Sequence, residues 1–98
     1  MDVVYTLEGI RFTWDPRKAL TNIRRHGVPF ETAAEVFLDP FLQVVEIQEE
    51  EDEEREAVIG MTSAWQILFV VYITLPTVFR LISAREVTKA ERKRYEDG

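Results

Sequence analysis

Apolar and polar residues alternate along Ile10–Trp14, which is the pattern of a half-buried β-strand. Asp15 and Pro16 then open a helix, because Asp15 can cap its first turn and proline fits the first helical position. This helix is predicted to run to about His26, where Gly27 provides a residue suited to the left-handed stop.

Beyond a second helix, predicted from about Phe30 to Leu38, the pattern is mainly that of strands. The predicted strands are Phe41–Gln48, Ala57–Met61, Gln66–Thr74 and Val78–Ala84. A last helix starts with a capping box formed by Thr88 and Glu91. The order β-α-α-β-β-β-β-α, with short connections between the later strands, predicts an α+β fold. We expect a small, mainly antiparallel sheet with helices packed on it.

Length and composition indicate one small globular domain over residues 1–98, with 46% apolar and 11% aromatic residues. The absence of cysteine excludes a disulfide scaffold, a thiolate metal site and a cysteine nucleophile. The longest apolar run, Ile67–Ile73, is far too short to span a membrane, and the N-terminus has no secretory pattern. We therefore expect a soluble, cytoplasmic protein with no membrane partner.

The net charge of −6 originates in one segment. Eight acids and a single base, Arg55, lie between Glu46 and Glu56, and we interpret this run as a hairpin loop between two strands. The rest of the chain carries ten acids against eleven bases. The acidic total argues against a broadly basic nucleic-acid-binding protein, but it leaves room for a local basic site.

The first predicted helix concentrates positive charge, with four cations and a histidine in ten residues that contain no acid. Its periodicity places Ala19, Leu20 and Ile23 on the buried side. The opposite side carries Lys18, Asn22 and Arg25. Two interpretations stay open: a solubilising surface with cations favoured at the helix C-terminus, or a binding site for an anion.

Three further positions are candidates for binding or chemistry. On the final strand, alternation places Arg80 with Val78 and Ile82, and Ser83 on the other face. Arg80 is then either an edge residue with its head group in water or an anion ligand. His26 is either a capping group at the helix end or an acid–base group suited to neutral pH. The last helix, which includes Lys89, mixes both signs of charge, and this favours a solvated helix.

Several well-known motifs are missing from the sequence. It has no glycine-rich phosphate loop, no H-E-x-x-H, no serine nucleophile elbow and no histidine pair. We therefore expect no metal and no cofactor. The inventory of Arg, Lys and His suits RNA cleavage by attack of a 2′-hydroxyl on the neighbouring phosphate. In that reaction cations stabilise the transition state and a base removes the proton.

Six segments, taken in order, strongly resemble the motifs of BrnT toxins. They are Phe12–Ala19, Asn22–Val28, Phe30–Pro40, Leu68–Tyr72, Arg80–Arg85 and Glu91–Glu96. The resemblance implies a ribonuclease toxin of a type II toxin–antitoxin system with a RelE-like fold. The implied partner is a BrnA-like antitoxin with a ribbon-helix-helix domain, through which the complex contacts promoter DNA.

The resemblance also selects candidate site residues. Lys18, Asn22, Arg25, His26 and Gly27 match the helix motif of the family, and Arg80, Ser83, Ala84 and Arg85 match its final-strand motif. We expect Arg80, Arg85, His26 and Glu56 to be catalytic, with either His26 or the carboxylate of Glu56 as the base, and Lys18, Asn22, Arg25, Arg55 and Lys89 to bind RNA.

The sequence departs from the family in three places. The acidic run is heavy, Trp65-Gln66 stands where the family commonly has a glycine at a hairpin turn, and Leu75-Pro76-Thr77 replaces a charged turn.

Our leading hypothesis is a metal-independent endoribonuclease that cleaves RNA, mRNA in particular, and is neutralised by its antitoxin. The alternative is a degenerate toxin that only binds its partner. A direct DNA-binding protein is disfavoured by the overall charge and by the lack of a helix-turn-helix or ribbon-helix-helix pattern.

Overall fold

The N-terminal segment forms a β-hairpin. The computed structural model describes residues 1–50 and 53–98, and the side chains of residues 1–45 and 54–98. In it β1 (Val3–Leu7) pairs antiparallel with β2 (Ile10–Trp14). Glu8 and Gly9 have φ angles of 49° and 80°, the positive values that a two-residue type I′ turn requires. The sequence prediction contains β2 but not β1, although alternate residues of β1 are apolar.

Two helices follow the hairpin. Helix α1 (Pro16–His26) is capped by Asp15, whose Oδ1 accepts a hydrogen bond from the Arg17 amide at 2.8 Å. It ends at Gly27, which has a φ of 70°, so both predicted ends are confirmed. The second predicted helix is divided into α2 (Phe30–Ala34) and a tighter 3₁₀ helix, Glu35–Leu38, as is common at helix C-termini.

The remaining described residues form four strands and a helix. They are β3 (Gln43–Glu50), β4 (Glu53–Met61), β5 (Ile67–Thr74), β6 (Phe79–Glu86) and α3 (Lys89–Asp97). In the described chain the sheet order is β1-β2-β6-β5-β4-β3, and the β2–β6 pair is parallel while the other pairs are antiparallel. The predicted α+β fold with a mainly antiparallel sheet is confirmed.

The acidic run was predicted as a hairpin loop, and this is wrong for most of it. Strand β3 continues to Glu50 and β4 begins at Glu53, with Glu49 opposite Glu54 and Glu50 opposite Glu53. The ladder bonds backbone groups whatever the sign of the side chains, and strand propensity depends strongly on context. Residues 51 and 52, which belong to the same predicted loop, lie outside the described residues.

One face of the sheet, the core face, is covered by α2 and the 3₁₀ helix. The main buried residues of this layer are Phe30, Ala33, Ala34, Val36, Val58, Leu68, Val70, Leu81 and Ala84. Aromatic rings extend it, since Phe37 stacks on Phe79 with ring centres 5.1 Å apart and meets Tyr72 edge-on. Alternation then places Phe69 and Val71 on the opposite, outer face.

Helix α3 is capped at its N-terminus and hydrogen-bonded to the rest of the fold near its C-terminus. The Thr88–Glu91 capping box closes its N-terminus. Near its C-terminus, Tyr95 Oη donates a hydrogen bond to Asp39 Oδ2 at 2.5 Å. Burial and this bond raise the pKa of Tyr95 to about 12.

A β-bulge in β6 changes which side chains share a face. Ser83 and Leu81 lie opposite consecutive residues of β5, so Ile82 is an extra residue. Leu81 is buried in the core face, which places Arg80 on the outer face, and beyond the bulge Ser83 and Arg85 also lie on that face. Strict alternation predicts Ser83 on the face opposite Arg80, and the bulge shows that this prediction is wrong.

Gly60 on β4 lies against the 3₁₀ helix with no room for a side chain. A Cβ at this position would be 2.8 Å from Val36 Cβ and 2.9 Å from Leu42 Cδ1. We expect Gly60→Ala to lower the free energy of unfolding by about 1–3 kcal/mol, because the neighbouring backbone must shift. Urea denaturation measures this, with exposed Glu54→Ala on the same strand as the control. A Gly60→Ala chain as stable as the wild type would contradict the close approach.

Candidate functional site

One buried carboxamide hydrogen-bonds α1 to the edge of the sheet. Strand β2 pairs with β6 only as far as Arg80, so among the described residues no strand pairs with the edge of β6 beyond that point on this side. Asn22 fills the gap: its Nδ2 donates to Ala84 O at 2.8 Å and its Oδ1 accepts from Ala84 N at 3.0 Å. Nδ2 also donates to Val28 O at 2.9 Å. The side chain thus takes the place that a neighbouring strand would occupy.

The predicted orientation of α1 is therefore wrong for Asn22, Leu20 and Ile23, although Ala19 packs against the core as predicted. Asn22, placed on the exposed side from sequence, is only 5% exposed, whereas Leu20 and Ile23 are 49% and 43% exposed. Backbone groups left unpaired in the interior are costly, and Asn22 satisfies three of them at once. Hydrogen bonding, and not the apolar stripe, sets the rotation of this helix.

A cleft of about 230 Å³ lies between α1 and β6. It is lined by Arg17, Lys18, Thr21, Asn22, Arg25, His26, Ile82 and Ser83. Among the described residues, no ion pair includes a cation of α1, so the positive charge of this helix has no carboxylate partner there. A small cleft lined by three cations and a histidine suits a ligand that carries phosphate.

Arg80 lies on the outer face of β6 and is paired with the N-terminal segment. Its guanidinium donates to the carboxylate of Asp2, and this hydrogen bond lowers the pKa of Asp2. The two side chains are 28% and 46% exposed. Ion pairs this exposed contribute little to stability, so an incoming anion can replace the Asp2 carboxylate.

Arg85 is held more firmly than Arg80. Its two terminal nitrogens donate to the two carboxylate oxygens of Glu91 at 2.8 and 2.9 Å, and its guanidinium lies 4.4 Å from the ring centre of Phe69. Glu91 also accepts the Thr88 amide of the capping box at 2.9 Å. The hydrogen bond from Arg85 lowers the pKa of Glu91 to about 2. Arg85 therefore ties the end of β6 to the start of α3.

Glu56 is not brought together with the predicted catalytic arginines. It lies opposite Tyr72, on the core face, and its carboxylate accepts hydrogen bonds from Tyr72 Oη and Thr74 Oγ1, both at 3.0 Å. Burial, reinforced by Glu56, raises the pKa of Tyr72. Arg80 and Arg85 point to the opposite side of the same sheet.

The other predicted positions are divided between the cleft and the rest of the surface. Lys18, Asn22, Arg25 and His26 line the cleft, whereas Lys89 is exposed on the first turn of α3 and Arg55 is half-buried on β4.

Arg17, Thr21 and Ile82 line the cleft without having been selected from sequence, whereas Ser83 was selected only as part of the final-strand motif. Helical spacing offers a signal for Thr21, which lies three residues after Lys18 and four before Arg25. Alternation misplaces Ser83, because the bulge at Ile82 is not visible in the sequence.

The described residues lack a metal-binding cluster and a membrane-spanning helix. No group of three or more His, Cys, Asp or Glu side chains is arranged to hold a metal ion. None of the helices in this part of the chain combines the length and apolar character needed to cross a membrane.

Comparison with known proteins agrees with the motifs and the fold. A sequence model described as the ribonuclease toxin BrnT of type II toxin–antitoxin systems matches residues 14–91. The chain belongs to the BrnT family. The resemblance drawn from its motifs is therefore confirmed.

The fold of this BrnT-family chain is similar to the 1.1 Å crystal structure of the Brucella abortus ribonuclease toxin BrnT, with a TM-score of 0.61 and 28% identity. The match covers 78% of this chain and 94% of the other. No curated protein matches the chain. The α1–β6 cleft and both outer-face arginines lie within the family match, whereas Asp2 and β1 lie outside it.

The hydrogen bonds of Asn22 give the first prediction on the candidate site of this BrnT-family chain. Asn22→Ala leaves the amide and carbonyl of Ala84 and the carbonyl of Val28 without their partner. We expect the free energy of unfolding to fall by about 2–4 kcal/mol, measured by urea denaturation. Thr21→Ala, at the exposed neighbouring position, is the control and should change it by less than about 0.5 kcal/mol. Equal stabilities of the two variants would show that the carboxamide does not hold the helix.

The Arg85–Glu91 pair gives a second prediction, on acid stability. The pKa of Glu91 falls from 4.5 to about 2 on folding, so the pair stabilises the fold above pH 4.5. That contribution is lost as the pH falls from 4.5 to about 2. Glu91→Gln, which keeps a capping-box side chain, should lower stability at neutral pH and flatten its decline over this range.

Thermal unfolding at a series of pH values measures the effect of Glu91→Gln. Glu96→Gln on the same helix, whose carboxylate has no ion pair in the described chain, is the control. If the stability of the wild type and that of Glu91→Gln declined equally steeply as the pH falls, this pair would not be the source of the decline.

Proposed function

We propose that this chain is a metal-independent endoribonuclease that cleaves mRNA and thereby inhibits translation and growth. The observation that carries the proposal is the α1–β6 cleft, where Arg17, Lys18 and Arg25 have no carboxylate partner among the described residues. The description of the BrnT family as ribonuclease toxins supports it.

In the proposed reaction the scissile phosphate enters this cleft. The 2′-hydroxyl of the preceding nucleotide attacks phosphorus, the bond to the 5′-oxygen of the next nucleotide breaks, and a cyclic phosphate remains. His26, which lines the cleft, takes the proton of the 2′-hydroxyl, and the leaving 5′-oxygen takes a proton from water. Lys18 and Arg25 stabilise the negative charge that builds up on the phosphate oxygens. This sequence of bond changes needs no metal or cofactor.

The predicted residues outside the cleft receive different roles in this proposal. Arg80 exchanges the Asp2 carboxylate for an RNA phosphate, because the existing pair is partly exposed. Arg85, whose guanidinium is bound by Glu91, acts mainly by holding the end of β6 against the start of α3. Lys89 and Arg55 contact phosphates further along the strand.

Asn22 and Glu56 act through the structure that they hold. Asn22 positions α1 beside β6, since both of its amide hydrogens are already donated to backbone carbonyls. Glu56 braces β4 against β5 on the core face, which leaves His26 as the proposed base.

The proposed partner is a BrnA-like antitoxin with a ribbon-helix-helix domain, through which the complex contacts promoter DNA in the cytoplasm. Membership of a family of type II toxin–antitoxin toxins supports an antitoxin.

A second candidate function is a toxin that has lost catalysis and serves only to bind its antitoxin. One observation favours it. Both arginines predicted to be catalytic, Arg80 and Arg85, are paired with carboxylates in the free chain.

Cleavage of a labelled single-stranded RNA by the purified chain in EDTA tests the proposed function. We expect His26→Gln to lower the rate by about 10²-fold or more, and Lys18→Ala by about 10-fold or more. Arg24→Ala is the matched control, because Arg24 is an exposed cation of the same helix that does not line the cleft. A cyclic phosphate at the product end identifies the mechanism.

Equal cleavage by all variants would indicate a contaminating nuclease. No cleavage by a wild-type chain that still binds its antitoxin would favour the non-catalytic alternative.

A further inference from the structure

The side of α1 that faces away from the cleft carries two apolar residues that are only half covered. Leu20 is 49% and Ile23 43% exposed, and the two are neighbours on the helix surface because they lie three residues apart. A surface helix normally turns its apolar stripe toward the core, but here the Asn22 carboxamide occupies the side that meets the sheet. We call this pair the Leu20–Ile23 ridge.

Positive charge borders the ridge. Arg17 lies three residues before Leu20 and Arg24 lies four residues after it, so both are its neighbours on the helix surface. Helix α1 contains no acid, and neither arginine has an ion pair among the described residues. A ligand for this surface therefore needs apolar groups in the middle and negative charge at the margins.

We propose that the Leu20–Ile23 ridge is the docking surface for an acidic amphipathic helix of the antitoxin. The chemistry of the ridge favours a protein segment over RNA. Single-stranded RNA is held by aromatic platforms and by cations, whereas leucine and isoleucine offer no flat ring for a base. They match instead the apolar positions of a partner helix, repeated at i, i+3, i+4 and i+7, with Glu or Asp beside them to meet Arg17 and Arg24.

The position of Arg17 links this surface to the cleft. Arg17 borders the ridge and also lines the α1–β6 cleft. An acidic side chain of the antitoxin bound to Arg17 reduces the positive potential at the point where the RNA phosphate is proposed to enter. This route to inhibition rests on the proposed ribonuclease function, whereas the docking rests on the ridge, its charges and the proposed antitoxin partner.

The test measures the affinity of the full chain for the antitoxin encoded by the reading frame next to its gene, by isothermal titration calorimetry. The variant L20E/I23E should bind about 10-fold more weakly or worse. In the complex, two apolar contacts would be replaced by two negative charges that face an acidic helix. Leu38→Glu is the matched control. Leu38 is 44% exposed and lies on the 3₁₀ helix and not on α1, and its substitution should leave the affinity within about twofold of the wild type.

A charge variant provides an independent test that does not alter the apolar ridge. Arg24→Glu should also weaken antitoxin binding and reduce its dependence on salt, because one attractive contact becomes repulsive. Circular dichroism verifies that the variants fold, and if L20E/I23E does not, Arg24→Glu decides the proposal.

RNA cleavage by L20E/I23E should equal that of the wild type, which separates this proposal from the ribonuclease proposal. A wild-type chain that cleaves no RNA would remove the ribonuclease function and leave the docking result intact. Unchanged antitoxin affinity of both L20E/I23E and Arg24→Glu would overturn the docking surface. Loss of RNA binding, or of self-association, with antitoxin affinity unchanged would assign the ridge to RNA or to a second copy of the chain and would also overturn it.

Discussion

The whole arrangement of the candidate site depends on how the open edge of β6 is satisfied. Strand β2 stops pairing with β6 at Arg80, and the backbone beyond that point would be buried without partners. The carboxamide of Asn22 takes over with three hydrogen bonds, two of them to Ala84. A helix attached by one polar side chain keeps its rotation, because other orientations leave these backbone groups unpaired. That rotation directs Lys18 and Arg25 into the cleft and leaves Leu20 and Ile23 outside.

A second constraint acts within β6. Arg80 and Arg85 are five residues apart, and in a regular strand an odd spacing places two side chains on opposite faces. The extra residue at Ile82 reverses the alternation, so both arginines and Ser83 share the outer face beside α1. The carboxylates of Asp2 and Glu91 hold the two arginines in the free chain. The exposed pair with Asp2 is easily exchanged, whereas the bidentate pair with Glu91 is part of the frame of α3.

These two constraints give α1 two working surfaces on one short helix. The cleft side is polar and cationic, as RNA phosphate requires, and the ridge side is apolar with cationic margins, as an acidic helix requires. Arg17 belongs to both surfaces. The proposed RNA substrate and the proposed antitoxin helix would then lie on opposite sides of one helix and share Arg17.

Local chemistry in the sequence was sufficient for most elements and for the family. The Asp15 and Gly27 caps, the Thr88–Glu91 box and the apolar strands act through near neighbours, so the bounds of α1 and the fold class could be predicted. Glu8-Gly9 is a turn signal from which the β1–β2 hairpin could have been predicted. The acidic residues, in contrast, have low strand propensity, so the sequence does not show that β3 and β4 continue through them.

Contacts between distant segments decided the rest. The helical periodicity of α1 sorts its side chains by hydrophobicity alone. It cannot show that Ala84 on the edge of β6, 62 residues further along the chain, needs an amide at position 22. Alternation cannot show the bulge at Ile82, which depends on the pairing with β5. The sequence by itself therefore determined which residues are available to the site, and only the tertiary structure decided which face each one occupies, because facing depends on hydrogen bonds to partners far along the chain.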